Sequence, residues 1–129
     1  MSGRVLLDTN IIIALFSGSI EIIEKLPTVS AVFVPSIAIG ELYYGARKSA
    51  KFKANSARID QFRSNSVILP ADEETARHYG KLKDHLRSKG RPIPENDIWI
   101  ASLAEQYRLT LISRDRHFTE IAGLKVEIW

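Results

Sequence analysis

The sequence contains no cysteine. Disulfides and thiolate metal sites are therefore excluded, and the absence suits a reducing cytoplasm. No apolar run reaches the ~20 residues that a membrane-spanning helix needs. Met1-Ser2-Gly3-Arg4 leads straight into Val5-Leu6-Leu7, with no long apolar leader and no cleavage motif, so the expected location is the cytoplasm and no membrane partner is expected. Repeats, low-complexity tracts and interdomain linkers are also lacking, and the expectation is one domain over residues 1–129. Neither sign of charge dominates: 18 Lys and Arg stand against 15 Asp and Glu, a formal net charge of +3. The sequence pI of about 9.3 is compatible with a polyanionic partner but does not by itself indicate one.

What is present is the balance of an ordinary folded protein, with 45% apolar and 26% charged residues. Short apolar runs alternate with helical patterns. Arg4 to Asp8 reads as a buried strand ending in an acid, Thr9 to Phe16 as a helix, and Ser17-Gly18-Ser19 as a break before a second helix that Pro27 stops. Ala31 to Val34 is a second strand closed by Pro35. Ser36 is the expected N-cap of a helix through Glu41 to about Arg47, and a lysine-rich helix follows from about Lys51 to Arg63. Ser66 to Leu69 is a third strand. Asp72 caps a long helix whose inner face is expected to be Ala76, Tyr79, Leu82 and Leu86. Gly90 ends that helix, and another runs from Glu95-Asn96-Asp97 to Tyr107. Thr110 to Ser113 is a fourth strand, and Val126 to Ile128 a short fifth at an edge.

This alternation predicts an α/β layer fold with a central, mainly parallel sheet of four to five strands. Ligands of such sheets gather beyond the carboxyl ends of the strands, where the strand order reverses. Four acids can face that end: Asp8 closing the first strand, Glu41 in the helix after the second, Asp97 in the first turn of a late helix, and Asp115 just past the fourth strand. Carboxylates without Cys or His suit a hard divalent cation such as Mg²⁺, which also removes the repulsion of crowding them together. Such a cation binds a phosphate oxygen and activates a water for in-line attack on phosphorus. Asp97 is equally favoured by the helix dipole alone, by ~0.3–1 kcal/mol. Glu41 could be a solvated helical acid, although Ile39, Leu42 and Tyr43 surround it with apolar residues. For Asp8, set against Val5-Leu6-Leu7, the structural explanation is the weakest.

The chain resembles the PIN-domain nucleases, and among them the VapC-type toxins of type II toxin–antitoxin pairs. The resemblance is carried by Leu7-Asp8-Thr9-Asn10, by Pro35-Ser36 through Gly40-Glu41-Leu42 and Gly45, by Ile93-Pro94 through Asn96-Asp97-Ile98-Trp99-Ile100-Ala101, and by Leu111 through Ser113-Arg114-Asp115-Arg116-His117-Phe118. Four blocks in order, each with an acid in place, span essentially the whole chain. The resemblance implies a three-layer α/β/α fold and endonucleolytic cleavage of RNA with Mg²⁺ or Mn²⁺. It also implies a cognate antitoxin as protein partner, and a homodimer. Asp8, Glu41, Asp97 and Asp115 would bind the metal, with Asn10 and Ser113 holding acids or water in place. Ser113 stands where the family often has Thr, which keeps the hydroxyl. Arg116 and His117 stand where some relatives carry a further acid, which argues for one firmly held metal rather than two.

Arg114 and Arg116 flank the fourth acid and are candidates for phosphate contacts. The other basic clusters, Arg47 to Arg63 and Lys81 to Arg91, read by default as solvated helix faces. His78 and His85 lie two helical turns apart, about 10 Å, too far to share a metal. His117 adjoins the site with only a minor claim to a catalytic role. Ile11 to Leu26 carries more apolar residues than two short helices bury on one face, which leaves a deeply buried helix pair or a partner-covered patch. Tyr43 and Tyr44 fit either a dimer contact or the core. Three other readings fit less well. A phospho-acceptor receiver module needs paired acids after its first strand and a lysine after a late one, and both are lacking. An aspartyl phosphatase needs an acid two residues after Asp8, where Asn10 stands. A PIN scaffold that binds or processes RNA without being a toxin remains the alternative, although a non-cutting version needs a lost acid and none is missing.

Overall fold

A computed structural model describes residues 3–129 of the chain. Its strands are β1 (Arg4–Leu7), β2 (Ala31–Pro35), β3 (Val67–Leu69), β4 (Thr110–Ser113) and β5 (Val126–Ile128). Its helices are α1 (Thr9–Phe16), α2 (Ile20–Lys25), α3 (Ser36–Arg47), α4 (Phe52–Ser64), α5 (Glu73–Ser88) and α6 (Glu95–Tyr107), with short 3-10 turns at Leu26–Thr28 and Arg116–Glu120. The five strands form one sheet in the order β3-β2-β1-β4-β5, and every pairing is parallel. β5 does lie at an edge.

Strand alternation separates the two cores. Val5, Leu7, Val34 and Ile112 point to one face, where they pack with residues of α1, α2, α3 and α4. Leu6 and Leu111 point to the other, under α5 and α6, with Phe118 and Ile121. Because side chains of a strand alternate with period two, a sheet that is apolar on both sides needs helices on both sides. A three-layer α/β/α architecture follows. Among the described residues no helix is long and apolar enough to cross a membrane.

Local chemistry sets most boundaries. Asp72 accepts a hydrogen bond from the backbone N–H of Thr75, whose hydroxyl in turn accepts from the Asp72 N–H, a reciprocal capping box. Thr75 also donates to Gln106 of α6 at 2.5 Å. This lock fixes the phase of α5, so its inward stripe is Thr75, Tyr79, Leu82 and Leu86, and Ala76 faces solvent. The expected inner face is corrected at that residue. Ser36 is likewise not the cap of α3: Pro35 occupies the N-cap position, Ser36 is already helical, and no side chain caps the end. β2 runs straight into the helix, its last residue Pro35 still in register with Leu69.

Helix α6 ends on Arg108, the one non-glycine residue at positive φ among the described residues (φ 55°, ψ 46°). A β-carbon is disfavoured there and glycine is not. Arg108→Gly is therefore expected to stabilise the protein by about 0.5–1 kcal/mol, read as a rise of a few degrees in melting temperature. An unchanged or lower value would show that the Arg108 side chain compensates for the strain.

Candidate active site

The strand order reverses between β1 and β4, because the chain steps from β1 outward to β2 and β3 and then returns to β4 on the other side. The carboxyl ends of β1 and β4 therefore border the crevice of the sheet. Asp8 follows β1 directly and serves as the N-cap of α1. Asp115 lies two residues beyond the end of β4. Glu41 projects from α3 and Asp97 from the first turn of α6, and all four acids line one cleft of about 560 Å³ with Thr9, Asn10, Ile13, Pro94, Glu95 and Asn96.

Asp8 is the most enclosed, at 4% exposure. Its Oδ1 accepts from the Thr9 N–H at 2.8 Å and its Oδ2 from the Ser113 hydroxyl at 2.7 Å. Ser113, fully buried, also accepts from the Asp115 N–H at 2.9 Å and from Asn10 Nδ2 at 3.4 Å. One hydroxyl thus ties the ends of β1 and β4 together. Asn10 Oδ1 accepts from the Arg114 N–H at 3.3 Å, extending the same network. Glu41 is oriented by the Thr9 hydroxyl, which donates to its Oε1 at 2.6 Å.

Burial holds the Asp8 carboxyl above its ordinary range. The bonds from Ser113 and Thr9 pull it down, and the charges of Glu41 and Asp115 push it up again. Asp97 is raised from 3.8 to about 6, first by burial and then by the field of Asp8, with Asp115 adding to the rise and His117 opposing it. Clustered carboxylates that are hard to ionise are the electrostatic signature of a site awaiting positive charge. The donor set therefore fits a divalent cation.

Sequence reasoning missed one member of this cluster and gave another too little weight. Thr9 carried no signal beyond its place beside Asp8. His117 does more than adjoin the site: its Nε2 lies 2.9 Å from Asp97 Oδ2, and its Nδ1 3.7 Å from Asp115 Oδ1. Of the two expected phosphate-facing residues, both exposed, Arg114 donates to Ser19 Oγ at 3.3 Å. His78 and His85 lie elsewhere; His78 Nδ1 sits 2.5 Å from Glu105 Oε1. Of the basic helix faces, Lys81, Lys83 and Arg91 are engaged by Glu105, Glu95 and Glu120, as solvated faces usually are.

The apolar excess of α1 and α2 divides. Ile11, Ile12 and Ile22 are fully buried, whereas Ile13, Ile20 and Ile23 are 52%, 71% and 48% exposed. Tyr43 packs against the core and donates its hydroxyl to Asp60, while Tyr44 is exposed.

A parallel 3-2-1-4-5 sheet with acids converging at its switch point is the arrangement of a PIN domain, and the PIN domain profile matches residues 5–124. The chain belongs to the PIN-domain family. Within it the chain is of the VapC ribonuclease type. It is 37% identical to Ribonuclease VapC2 of Haemophilus influenzae, with 98% of each chain covered. It is 33% identical to the tRNA(fMet)-specific endonuclease VapC of Salmonella typhimurium, again over 98% of each. Among solved structures, VapBC2 from Rickettsia felis bound to a promoter DNA fragment contains a chain that superposes with a TM-score of 0.91 at 30% identity, covering 98% of both chains.

Proposed function

We propose that the protein is a Mg²⁺- or Mn²⁺-dependent endoribonuclease, the toxin of a toxin–antitoxin pair, acting in the cytoplasm as a single PIN domain. The observation that carries this reading is the convergence of Asp8, Glu41, Asp97 and Asp115, from four separate segments, on one cleft at the β1/β4 switch point.

Asp8, Glu41, Asp97 and Asp115 would hold the ion. When bound, such a cation supplies charge for a phosphate oxygen and acidifies a water for attack on phosphorus. The residues of the chain do the positioning. Ser113 and the Thr9 N–H fix both oxygens of Asp8, the Thr9 hydroxyl fixes Glu41, and Asn10 braces Ser113 and the Arg114 backbone. With no cation bound, Asp97 is raised to about 6, and a bound cation would favour its ionised form. Arg114 and Arg116 are assigned to the RNA backbone, where cations give affinity without reading sequence. The exposed Ile13, Ile20 and Ile23 are assigned to contact with an antitoxin segment, and exposed Tyr44 to a homodimer contact.

Purified protein is expected to cut RNA with Mg²⁺ or Mn²⁺ and to stop in excess chelator; full activity in chelator would refute the metal reading. Expression alone is expected to arrest growth, with relief from a small protein encoded beside the gene. Active enzyme without any growth effect would count against the toxin role.

A further inference from the structure

His117, which lies against two of the cleft's acids, is the neighbour that a purely carboxylate site leaves unexplained. It sits in the 3-10 turn after Asp115, and its ring packs on that of the fully buried Phe118 at 4.6 Å between centroids. The imidazole is thus set against the core. Its Nε2 is buried and lies 2.9 Å from Asp97 Oδ2. Among the described residues no partner meets this nitrogen in aligned hydrogen-bond geometry, yet the ring is close enough to Asp97 to help offset the rise of its carboxyl. The pair therefore interacts at close range but off the line of a well-directed hydrogen bond. A buried polar atom paired only in this skewed way invites a further explanation.

Coordination geometry supplies one. Two neighbouring ligand atoms on an octahedral divalent ion, each about 2.1 Å from it, stand about 3 Å apart with their lone pairs aimed at the ion rather than at each other. The 2.9 Å separation of Nε2 and Oδ2 matches such an edge. Asp97, Asp115 and His117 each offer a ligand atom within 4.8 Å of the others, which one ion can span with a small closure. Neutral imidazole is a common metal ligand, and it favours ions softer than Mg²⁺.

We propose that His117 is a nitrogen ligand of the metal site, and that it makes the site favour Mn²⁺ over Mg²⁺. The proposal rests on the acid cluster being a metal site. The ring occupies a position from which it could bind, beside the carboxylates it would share the ion with.

The test uses the full chain and Mn²⁺ itself. Electron spin-echo spectroscopy of wild-type protein with one equivalent of Mn²⁺ is expected to show imidazole-nitrogen coupling. His117→Gln should abolish that coupling and weaken Mn²⁺ binding by about tenfold or more in calorimetry, with a much smaller change for Mg²⁺. His117→Asp should recover binding without the nitrogen signal. Bound Mn²⁺ without nitrogen coupling in the wild type, or coupling that survives in His117→Gln, would overturn the proposal while leaving the metal site intact. Failure of the wild type to bind either ion would overturn both. The wild-type spectrum decides the matter even where a variant folds poorly.

Discussion

Asp97→Asn is expected to make the metal-free protein more stable at neutral pH while eliminating RNA cleavage. The two effects have one cause. In the folded protein Asp97 ionises near pH 6 rather than at its ordinary 3.8, because burial and the charges of Asp8 and Asp115 oppose its carboxylate. A carboxyl whose pKa is raised by folding contributes stability that is fully present below the unfolded value and is lost as pH rises through the folded one. Metal-free wild type should therefore lose stability across about pH 4 to 7. The burial-raised Asp8 adds to the loss in the same direction.

Asp72, Glu95 and Glu105 carry the opposite shift. Their stabilisation is present above the unfolded values and is lost as pH falls through the lowered ones, so they act at the acid end of the Asp97 window and below it. The difference between wild type and variant reports Asp97 together with the neighbours that share its field, Asp8, Asp115 and His117. Thermal melts of both proteins from pH 4 to 8, with chelator or with Mg²⁺, provide the check. The variant should melt higher than wild type in chelator above pH 6, gain little from Mg²⁺, and cut RNA slower by on the order of 10³-fold or more. Asp8→Asn should lose activity to the same degree and keep its fold, since Asn caps a helix as well as Asp. A variant at position 97 that is less stable than wild type in chelator, or still stabilised by Mg²⁺, would contradict the argument.

Ser113→Ala should produce the second large effect, although Ser113 is not among the proposed ligands. Its hydroxyl holds Asp8 Oδ2, accepts the Asp115 N–H and meets Asn10. Deleting it frees one oxygen of the most buried acid and leaves a backbone donor without its partner. We expect a loss of about 1–3 kcal/mol in stability and a fall of about 10–100-fold in both metal affinity and activity. Ser113→Thr retains the hydroxyl and should recover most of both. Failure of Thr to recover metal affinity, with the fold intact, would show that side-chain size at this fully buried position matters more than the hydroxyl. Metal titration by calorimetry, with thermal melts of both variants to confirm the fold, provides the check.

How much of this was legible in the sequence follows from the range over which each force acts. Turn and cap chemistry is local. Pro35 and Gly90 ended their elements where expected, and Asp72 started its own, because each acts on residues within one turn. The two-sided apolar strands Val5-Leu6-Leu7 and Leu111-Ile112 likewise called for helices on both faces. The inner face of α5 was expected correctly at Tyr79, Leu82 and Leu86 but not at its first position, where Thr75, bonded to Gln106 31 positions away, is buried in place of Ala76.

The candidate site divides along the same line. The sequence by itself determined which acids stand near the ends of elements, and the resemblance to a known family is what singled out Glu41 and Asp97 among them. Only the tertiary structure decided that β1 and β4 are neighbours, which brings Ser113 onto Asp8 across 105 positions. It alone turned the Thr9 hydroxyl onto Glu41 and set His117 against Asp97. It also left Ile13, Ile20 and Ile23 uncovered while burying their neighbours Ile12 and Ile22. Periodicity records which face of an element is apolar. The order of strands in the sheet, and the rotamer packing selects beside a buried Phe118, depend on contacts between distant segments, and no local pattern encodes them.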